Sequence, residues 1–156
     1  MENSKVWPPN LFQGNATEHV KNKALVFCKG DGIDFGAGVW CLPGAIPVDQ
    51  ATYFGLEDFD PNSLDFVFSS HCLEHIRAWK ETLRELIAKI KPKGIIFLYL
   101  PHEDSPWTGW RKHKWIPNAS AVIEALDDMG VKLLTYTDKP DNYQSFFVVG
   151  RKRVPE

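Results

Sequence analysis

The segment Ile95–Leu100 is apolar at every position, and it constrains the fold of this 156-residue chain more than any other feature. An amphipathic helix is predicted just before it, over Trp79–Ile90, with its aliphatic side chains on one face (Leu83, Leu86, Ile87 and Ile90). A strand without polar positions is normally covered on both faces, as in a parallel sheet flanked by helices. The segment therefore predicts an α/β chain.

Strands and helices alternate along the rest of the chain, which predicts a three-layer α/β sandwich. Residues 1–15 are predicted to be an irregular lead-in, and residues 16–156 a single domain. The first predicted helix should bury Val20, Leu25 and Val26. Further strands are predicted at Ile33–Phe35, Ala45–Val48, Leu64–Ser69, Val131–Thr137 and Ser145–Arg151, and further helices at Ala16–Cys28 and Ala119–Met129.

Composition and charge exclude several classes of protein. A net charge of -2 argues against a protein that binds nucleic acid by bulk charge. The basic clusters at 111–114 and 151–153 are interpreted as solvated faces. Three cysteines without CxxC spacing indicate reduced thiols in a cytoplasmic protein. The sequence shows no signal-peptide pattern and no apolar run long enough to span a bilayer, so no membrane association is expected.

A glycine-containing turn follows the strand at Ile33–Phe35. Gly36 and Gly38 lack side chains, so a ligand can approach the backbone closely there. Asp49 follows the next strand, where a carboxylate can accept hydrogen bonds from a ribose diol. Cys41 stands where a dinucleotide motif has its third glycine, which argues against NAD and FAD. The pattern favours a different nucleoside-like cofactor.

Three motifs in the same order resemble the class I S-adenosylmethionine-dependent methyltransferases, and most closely their type 11 group. They are the glycine segment Gly32–Gly38, the segment Ser63–His75 with its Leu-Glu-His sequence, and the turn Lys91–Gly94 before the apolar strand. The resemblance spans about residues 30–151. It implies a three-layer Rossmann-like sandwich with a mostly parallel sheet and a C-terminal antiparallel strand pair. It also implies methyl transfer from S-adenosylmethionine, with S-adenosylhomocysteine as product.

The resemblance also implies which residues bind the cofactor. Asp34 would reach toward the cofactor's amino group, and Asp49 would bind the ribose. Glu57 and Asp58 lie where the family contacts adenine, although either could be an exposed acid. The full set of implied cofactor residues is Asp34, Gly36, Ala37, Gly38, Asp49, Glu57, Asp58, Ser69, Ser70 and His71.

Candidate catalytic and substrate residues follow the later strands, because ligands bind at the carboxyl ends of parallel strands. His71 and His102 are the candidate general bases. The loop over residues 101–117 is predicted to be either a lid or substrate wall, or an apolar flap packed on the core. The candidate substrate residues are His75, His102, Trp107, Trp110, Arg111 and His113. Glu74 and His75 are predicted to begin a helix, and no metal site is expected.

The chain also departs from the family. Asp34 and Asp49 are fifteen positions apart, too few for a full crossover helix, so the first crossover helix is predicted to be shortened. The following strand is predicted to be vestigial. The acceptor is expected to be a small molecule. The alternatives are a non-catalytic S-adenosylmethionine-binding module acting through a partner, and a nucleic-acid methyltransferase. A partner protein or a homo-oligomer stays open.

Overall fold

The computed structural model describes residues 14–50, 52 and 54–156. Most of the predicted lead-in, residues 1–13, lies outside this range. The described residues form three α-helices and six strands: α1 Lys21–Phe27, β1 Gly32–Phe35, β2 Ile46–Val48, β3 Leu64–Ser70, α2 Trp79–Lys89, β4 Ile90–Pro101, α3 Ala119–Asp128, β5 Val131–Tyr136 and β6 Ser145–Lys152. Within them, no helix is both long and apolar enough to cross a bilayer.

The strands form one six-stranded sheet in the order β2-β1-β3-β4-β6-β5. The first four are parallel, whereas β6 runs antiparallel to both of its neighbours, β4 and β5. This confirms the predicted mostly parallel sheet with an antiparallel C-terminal pair. Strand order reverses at β1, which lies between β2 and β3. A crevice for ligands is expected at that switch point, beyond the carboxyl ends of the strands.

Strand β4 is buried on both faces from Gly94 onward, as the apolar sequence of Ile95–Leu100 predicts. One face packs against α2 and α3 through Ile96, Leu98 and Leu100. The other face, which includes Phe97 and Tyr99, packs with the α1 region. The core of α1 differs from the prediction at one position. Ala24 is fully buried, whereas Val26 is 62% exposed, because the helix begins only at Lys21 after a 3-10 turn.

The turn predicted at Lys91–Gly94 is part of β4 itself. Helix α2 ends at Lys89 and the strand begins at Ile90 without a loop. The register with β3 shifts between Leu64 and Phe66, so the intervening residues of β4 form a bulge, in which Lys93 has a φ of 73°. The Lys152 ammonium donates hydrogen bonds to the carbonyls of Ile87 (2.9 Å) and Ile90 (2.8 Å). It thereby caps the end of α2.

The connection between β1 and β2 is shorter than a helical crossover. Residues 36–45, all of them described, form turns only. The described residues between β2 and β3 contain one 3-10 turn, Leu56–Asp58, and no further strand. The shortened crossover and the vestigial strand are therefore both confirmed. As a result, β2 is the edge of the sheet, and little chain covers the cleft on that side.

Candidate functional site

Two adjoining cavities lie at the carboxyl ends of β1, β2 and β3. The larger, of about 680 Å³, extends from β2 to the turn at Leu56–Asp58. The smaller, of about 340 Å³, lies between the glycine turn and the loop after β4. Gly36, His71 and His75 line both cavities. The volumes fall within the range of about 300–1,000 Å³ typical of small-molecule sites, so the pair forms one candidate cleft.

The glycine turn forms the wall between the two cavities. The Gly36 N–H donates to the Val48 carbonyl (2.7 Å), and the Gly38 N–H donates to the Asp49 carboxylate (2.7 Å). Gly36 has a φ of +79°, and a Cβ at this position would overlap the Cys72 sulfur. Glycine is therefore required there on two counts. Ala37 and Gly38, two of the predicted cofactor residues, line the smaller cavity.

Asp34 supports this turn from below. Its carboxylate is 1% exposed and accepts a hydrogen bond from the Leu42 backbone N–H (2.8 Å). Burial, and to a smaller extent the nearby Asp49, raises the pKa of Asp34 to about 7. The hydrogen bond from Leu42 acts in the opposite direction and lowers the pKa, but it does not offset the burial. Asp34 lines neither cavity of the described chain. The structure therefore places it behind the turn, where it fixes the loop at Leu42.

The larger cavity contains two of the four acidic residues predicted to bind the cofactor. Asp49 and Glu57 line it, together with the apolar side chains of Phe54, Leu56 and Ile76. Asp58 does not line it, because its carboxylate caps the 3-10 turn by accepting from the Gly55 N–H (2.7 Å). A lining of carboxylates and apolar side chains suits a ligand with a polar sugar and a flat ring.

The two serines at the end of β3 differ in their surroundings. Ser69 donates to the Phe35 carbonyl (2.9 Å) and is buried between the strands, so it does not reach the cleft. Ser70 lines the smaller cavity, and its buried hydroxyl has no hydrogen-bond partner among the described residues. A buried polar group of this kind normally pairs with protein, water or ligand. Ser70 therefore remains a candidate ligand contact, and Ser69 is structural.

His71 lies at the centre of the cleft with a φ of 48°. Its Nε2 is 2.7 Å from the Ser145 hydroxyl, which donates its own proton to the Tyr143 carbonyl (2.9 Å). Nε2 must therefore carry the imidazole proton, and Nδ1 keeps its lone pair. Burial, together with His113, His75 and His19, lowers the pKa of His71 to about 3. The ring is neutral and a weak proton acceptor.

His102 does not fit the catalytic role predicted for it. Its Nε2 donates to the Asp138 carbonyl (2.7 Å), and its Nδ1 accepts from the Asp104 N–H (3.0 Å). Both ring nitrogens are therefore used, and no lone pair is left for a substrate proton. The ring lines neither cavity of the cleft in the described chain. The position after β4 was predicted correctly, but the side chain holds the loop in place.

The loop after β4 acts both as a wall and as a packed flap. Trp107 is 5% exposed, lines the smaller cavity and meets the His71 ring edge-on at 5.3 Å. Trp110 and His113 line the same cavity, whereas Arg111 does not. The far end of the loop packs on the core, where Trp115 stacks on Trp79 at 4.0 Å. The wall and the flap are thus two halves of one segment.

Glu74 is a site residue that the sequence reasoning placed wrongly. It lies in the 3-10 turn Leu73–His75 rather than at the start of α2, and it is fully buried beside the smaller cavity. Burial raises its pKa to about 8. Its neighbours in the cavity are His75 and His113, and His113 has a pKa lowered to about 4 by burial and by His75. Glu74 and His113 are brought together only by tertiary contacts, so the sequence pattern does not reveal their proximity.

Tyr143 was also missed. It lies in the turn between β5 and β6, and its ring is 5.4 Å from His71 and 5.2 Å from Trp107. It completes the aromatic wall of the smaller cavity. No local pattern around Tyr143 distinguishes it from an ordinary turn residue, so the sequence carries no signal for this role.

A family model described as a methyltransferase domain matches residues 13–134, which is most of the chain and includes every lining residue of the two cavities except Tyr143. The chain belongs to this methyltransferase family. The matching model is the family's type 23, whereas the sequence resemblance was drawn to type 11. The class I resemblance itself is confirmed. No curated protein sequence matches the chain significantly.

Three solved structures with the same fold are distant from this chain in sequence. A SAM-dependent methyltransferase from Archaeoglobus fulgidus is 19% identical, with a TM-score of 0.64, over 90% of this chain and 96% of that one. A structure of the Haloferax volcanii Trm112 methyltransferase activator with a methyltransferase matches at 17% identity and a TM-score of 0.69, over 91% and 92%. A Burkholderia thailandensis 1,6-didemethyltoxoflavin-N1-methyltransferase, solved with that compound and S-adenosylhomocysteine, is 14% identical, with a TM-score of 0.66, over 90% and 79%. At these identities the neighbours show the fold alone.

Proposed function

We propose that this protein transfers a methyl group from S-adenosylmethionine to a small-molecule acceptor. The observation that carries the proposal is the pair of cavities joined at Gly36, in a chain whose family is that of methyltransferases. The larger cavity would take the adenosine part of the cofactor. The smaller would take the methionine part and the acceptor. Gly36, on the wall between them, would lie beside the sulfur.

The residues of the cleft fit such a ligand. Asp49 would accept hydrogen bonds from the ribose hydroxyls, and Phe54, Leu56 and Ile76 would cover the adenine ring. Asp34 would act indirectly, by holding the glycine loop through its hydrogen bond from the Leu42 N–H. We place Ser70 and Ala37 beside the methionine part.

S-adenosylmethionine supplies a methyl group that is already electrophilic because it is bonded to a sulfonium. The work of the protein would be to align the acceptor with that methyl and to exclude water, which is a proximity effect. Trp107 and Tyr143 would form the dry wall on the acceptor side. His71 would position the acceptor through Nδ1 rather than remove a proton, since its pKa lies far below neutral.

Calorimetric titration with S-adenosylmethionine and S-adenosylhomocysteine tests the proposal. We expect one molecule of either to bind per chain. Asp49→Ala should weaken the affinity by about 1–3 kcal/mol, as for lost hydrogen bonds to a charged group. Asp49→Asn keeps an oxygen that can accept from the Gly38 N–H, so it preserves the support of the loop. If cofactor affinity falls in this variant as well, the loss comes from the ribose contact and not from the loop. Asp128→Ala, on the exposed end of α3, is the matched control. No binding of either ligand to folded protein would refute the proposal.

A second candidate is a cofactor-binding module that acts through a partner protein. One structural neighbour was solved together with an activator of methyltransferases. Large apolar side chains are also exposed near the cleft, with Val39 83%, Trp40 45% and Phe54 45% accessible. Product formation by the isolated chain on a panel of metabolites, sugars and proteins would favour the enzyme. Cofactor binding without turnover of any of them would favour the module.

The basic cluster at the C-terminal end argues against nucleic acid as the acceptor. Lys152 caps α2, as described above, and Arg153 forms an ion pair with Asp127 at 2.5 Å. Two of the three cations of this cluster therefore have structural partners. We infer that the cluster supports the C-terminal strands and does not form a phosphate-binding surface.

A further inference from the structure

Three side chains converge on the smaller cavity in an arrangement that the proposed methyl transfer does not use. Glu74, His75 and His113 each place one donor atom within 4.8 Å of the others. All three line the cavity, so the cluster opens onto the candidate acceptor side. Glu74 contributes a carboxylate that is 0% exposed, yet neither oxygen has a hydrogen-bond partner in the described part of the chain.

An unsatisfied buried carboxylate is costly, because it has lost its hydration without gaining a partner. The nearest candidate is the Nε2 of His75, at 3.4 Å from Oε1, which is too far for a good hydrogen bond. Glu74 therefore either holds a proton or faces a positive charge that completes the site. A cation bound between the carboxylate and the two imidazoles would satisfy it.

His75 is oriented as a metal ligand usually is. Its Nδ1 lies 3.0 Å from the Lys112 carbonyl, which can only accept, so Nδ1 carries the proton. In the neutral ring, Nε2 then keeps the lone pair, and this is the atom that faces Glu74. A metal-binding histidine typically donates its second N–H to a carbonyl or carboxylate, which fixes the tautomer and the ring. Lys112 supplies that outer partner.

The residues before and after His113 in the chain form hydrogen bonds that hold it in place. The Lys114 N–H donates to the Glu74 carbonyl (2.7 Å), and the Trp115 indole donates to the Leu73 carbonyl (2.8 Å). With the Lys112 contact to His75, three bonds tie residues 112–115 to the 3-10 turn. The His113 ring meets the His75 ring edge-on at 4.7 Å. These three hydrogen bonds therefore position His113, the third donor, beside Glu74 and His75.

We propose that Glu74, His75 and His113 bind a first-row divalent transition metal ion, with Zn²⁺ as the reference ion. Two imidazoles and one carboxylate favour such ions over Mg²⁺ and Ca²⁺, which prefer all-oxygen sites. Three protein ligands leave at least one position open, as in metal sites that also bind water or substrate. That position faces the smaller cavity, where an oxygen of a bound molecule could fill it.

The geometry requires only a small adjustment. With metal–ligand bonds of about 2.0–2.2 Å, the donor atoms of a tetrahedral site lie about 3.3–3.6 Å apart. The Glu74–His75 separation of 3.4 Å already meets this value, and the donor atoms of the cluster all lie within 4.8 Å of one another. His113 would therefore move toward the other two by at most about 1.5 Å. Its place at the cavity wall leaves room for this movement.

Titration calorimetry with Zn²⁺ and no S-adenosylmethionine tests this site independently of the proposed function. We expect one ion to bind per chain, and Mg²⁺ to bind at least about 100-fold more weakly. Glu74→Gln and His113→Gln should each lower Zn²⁺ affinity more than about 100-fold, since loss of even an outer partner costs about 10–100-fold. His19→Gln, an exposed histidine outside the cluster, should bind as the wild type does.

Glu74→Gln also provides a folding control. Glutamine is isosteric and uncharged, so the variant should unfold at a temperature no lower than the metal-free wild type while losing the metal. Co²⁺ should give a spectrum of nitrogen and oxygen ligands without a thiolate charge-transfer band. The proposal is overturned if Zn²⁺ does not bind the wild type, if both variants bind it equally well, or if a thiolate band assigns the ion to a cysteine.

Discussion

Asp34 makes the stability of this protein depend on pH in the direction opposite to ordinary acid denaturation. Its carboxyl is 1% exposed, and burial raises its pKa from 3.8 to about 7. Between about pH 4 and pH 7, the folded protein keeps the Asp34 proton, whereas the unfolded chain has released it. The unfolded state then binds fewer protons, so the free energy of unfolding falls as the pH rises. Above about pH 7 this contribution levels off.

The magnitude follows from the size of the shift. A difference of about three pKa units at about 1.4 kcal/mol per unit gives about 4 kcal/mol at most. Asp34→Asn removes the ionisation while its amide oxygen can still accept from the Leu42 N–H. The variant should therefore gain stability over the wild type as the pH rises, by up to about 4 kcal/mol at pH 8. At about pH 4 the two should be nearly equal.

Urea unfolding at several pH values between about 4 and 8, without cofactor, measures this difference. The other groups facing Asp34 do not reproduce it: burial raises the pKa values of the Cys28, Cys41 and Cys72 thiols, so they stay neutral, and Asp49 remains in both proteins. Asp128→Asn, an exposed substitution with the same charge change, is the control. Parallel curves for wild type and Asp34→Asn would refute the electrostatic argument.

Two further predictions concern the support of the cleft. Gly36→Ala should destabilise the fold by about 1–3 kcal/mol in urea unfolding, because the new Cβ overlaps the Cys72 sulfur and the residue has a φ of +79°. Adding Cys72→Ala removes the overlap but not the unfavourable φ, so it should recover only part of the lost stability. Full recovery would show that the φ of this residue carries no strain. Lys152→Met should cost about 1–3 kcal/mol, because the Ile87 and Ile90 carbonyls at the end of α2 and the Asn62 side chain all lose their charged donor. Lys132→Met, exposed on β5, is its control, and equal losses in both variants would contradict the capping role.

Sequence reasoning worked where the pattern is periodic or local. The apolar run at Ile95–Leu100 implied the two-sided burial of β4, and the spacing from Asp34 to Asp49 implied the missing crossover helix. Both depend on chain geometry that a few consecutive residues determine. The same reasoning misplaced the start of β4, because a bulge lets the strand continue through the glycine-containing turn at Lys91–Gly94.

The site was harder to predict because its key contacts are long-range. Glu74 and His113 are far apart in sequence, and only the hydrogen bonds from the loop to the 3-10 turn bring them together. His102 shows the opposite error, since its position at the end of a strand suggested function while its hydrogen bonds are structural. A residue's place along a strand predicts that it lies near a ligand. Whether its polar atoms are free depends on hydrogen-bond partners from other parts of the chain, which the sequence pattern does not identify.

The ten-residue connection between β1 and β2 bears on how fast a ligand can leave the cleft. Hydrogen bonds from the Gly36, Gly38 and Leu42 N–H groups hold it, and no helix docks it onto the sheet. Breaking them requires only local opening, with a free energy well below that of global unfolding. Amide exchange at these three positions should therefore be faster than in β4. If a ligand leaves through this opening, its residence time would depend on how often the three backbone hydrogen bonds break. The strength of the ligand's own contacts would then matter less.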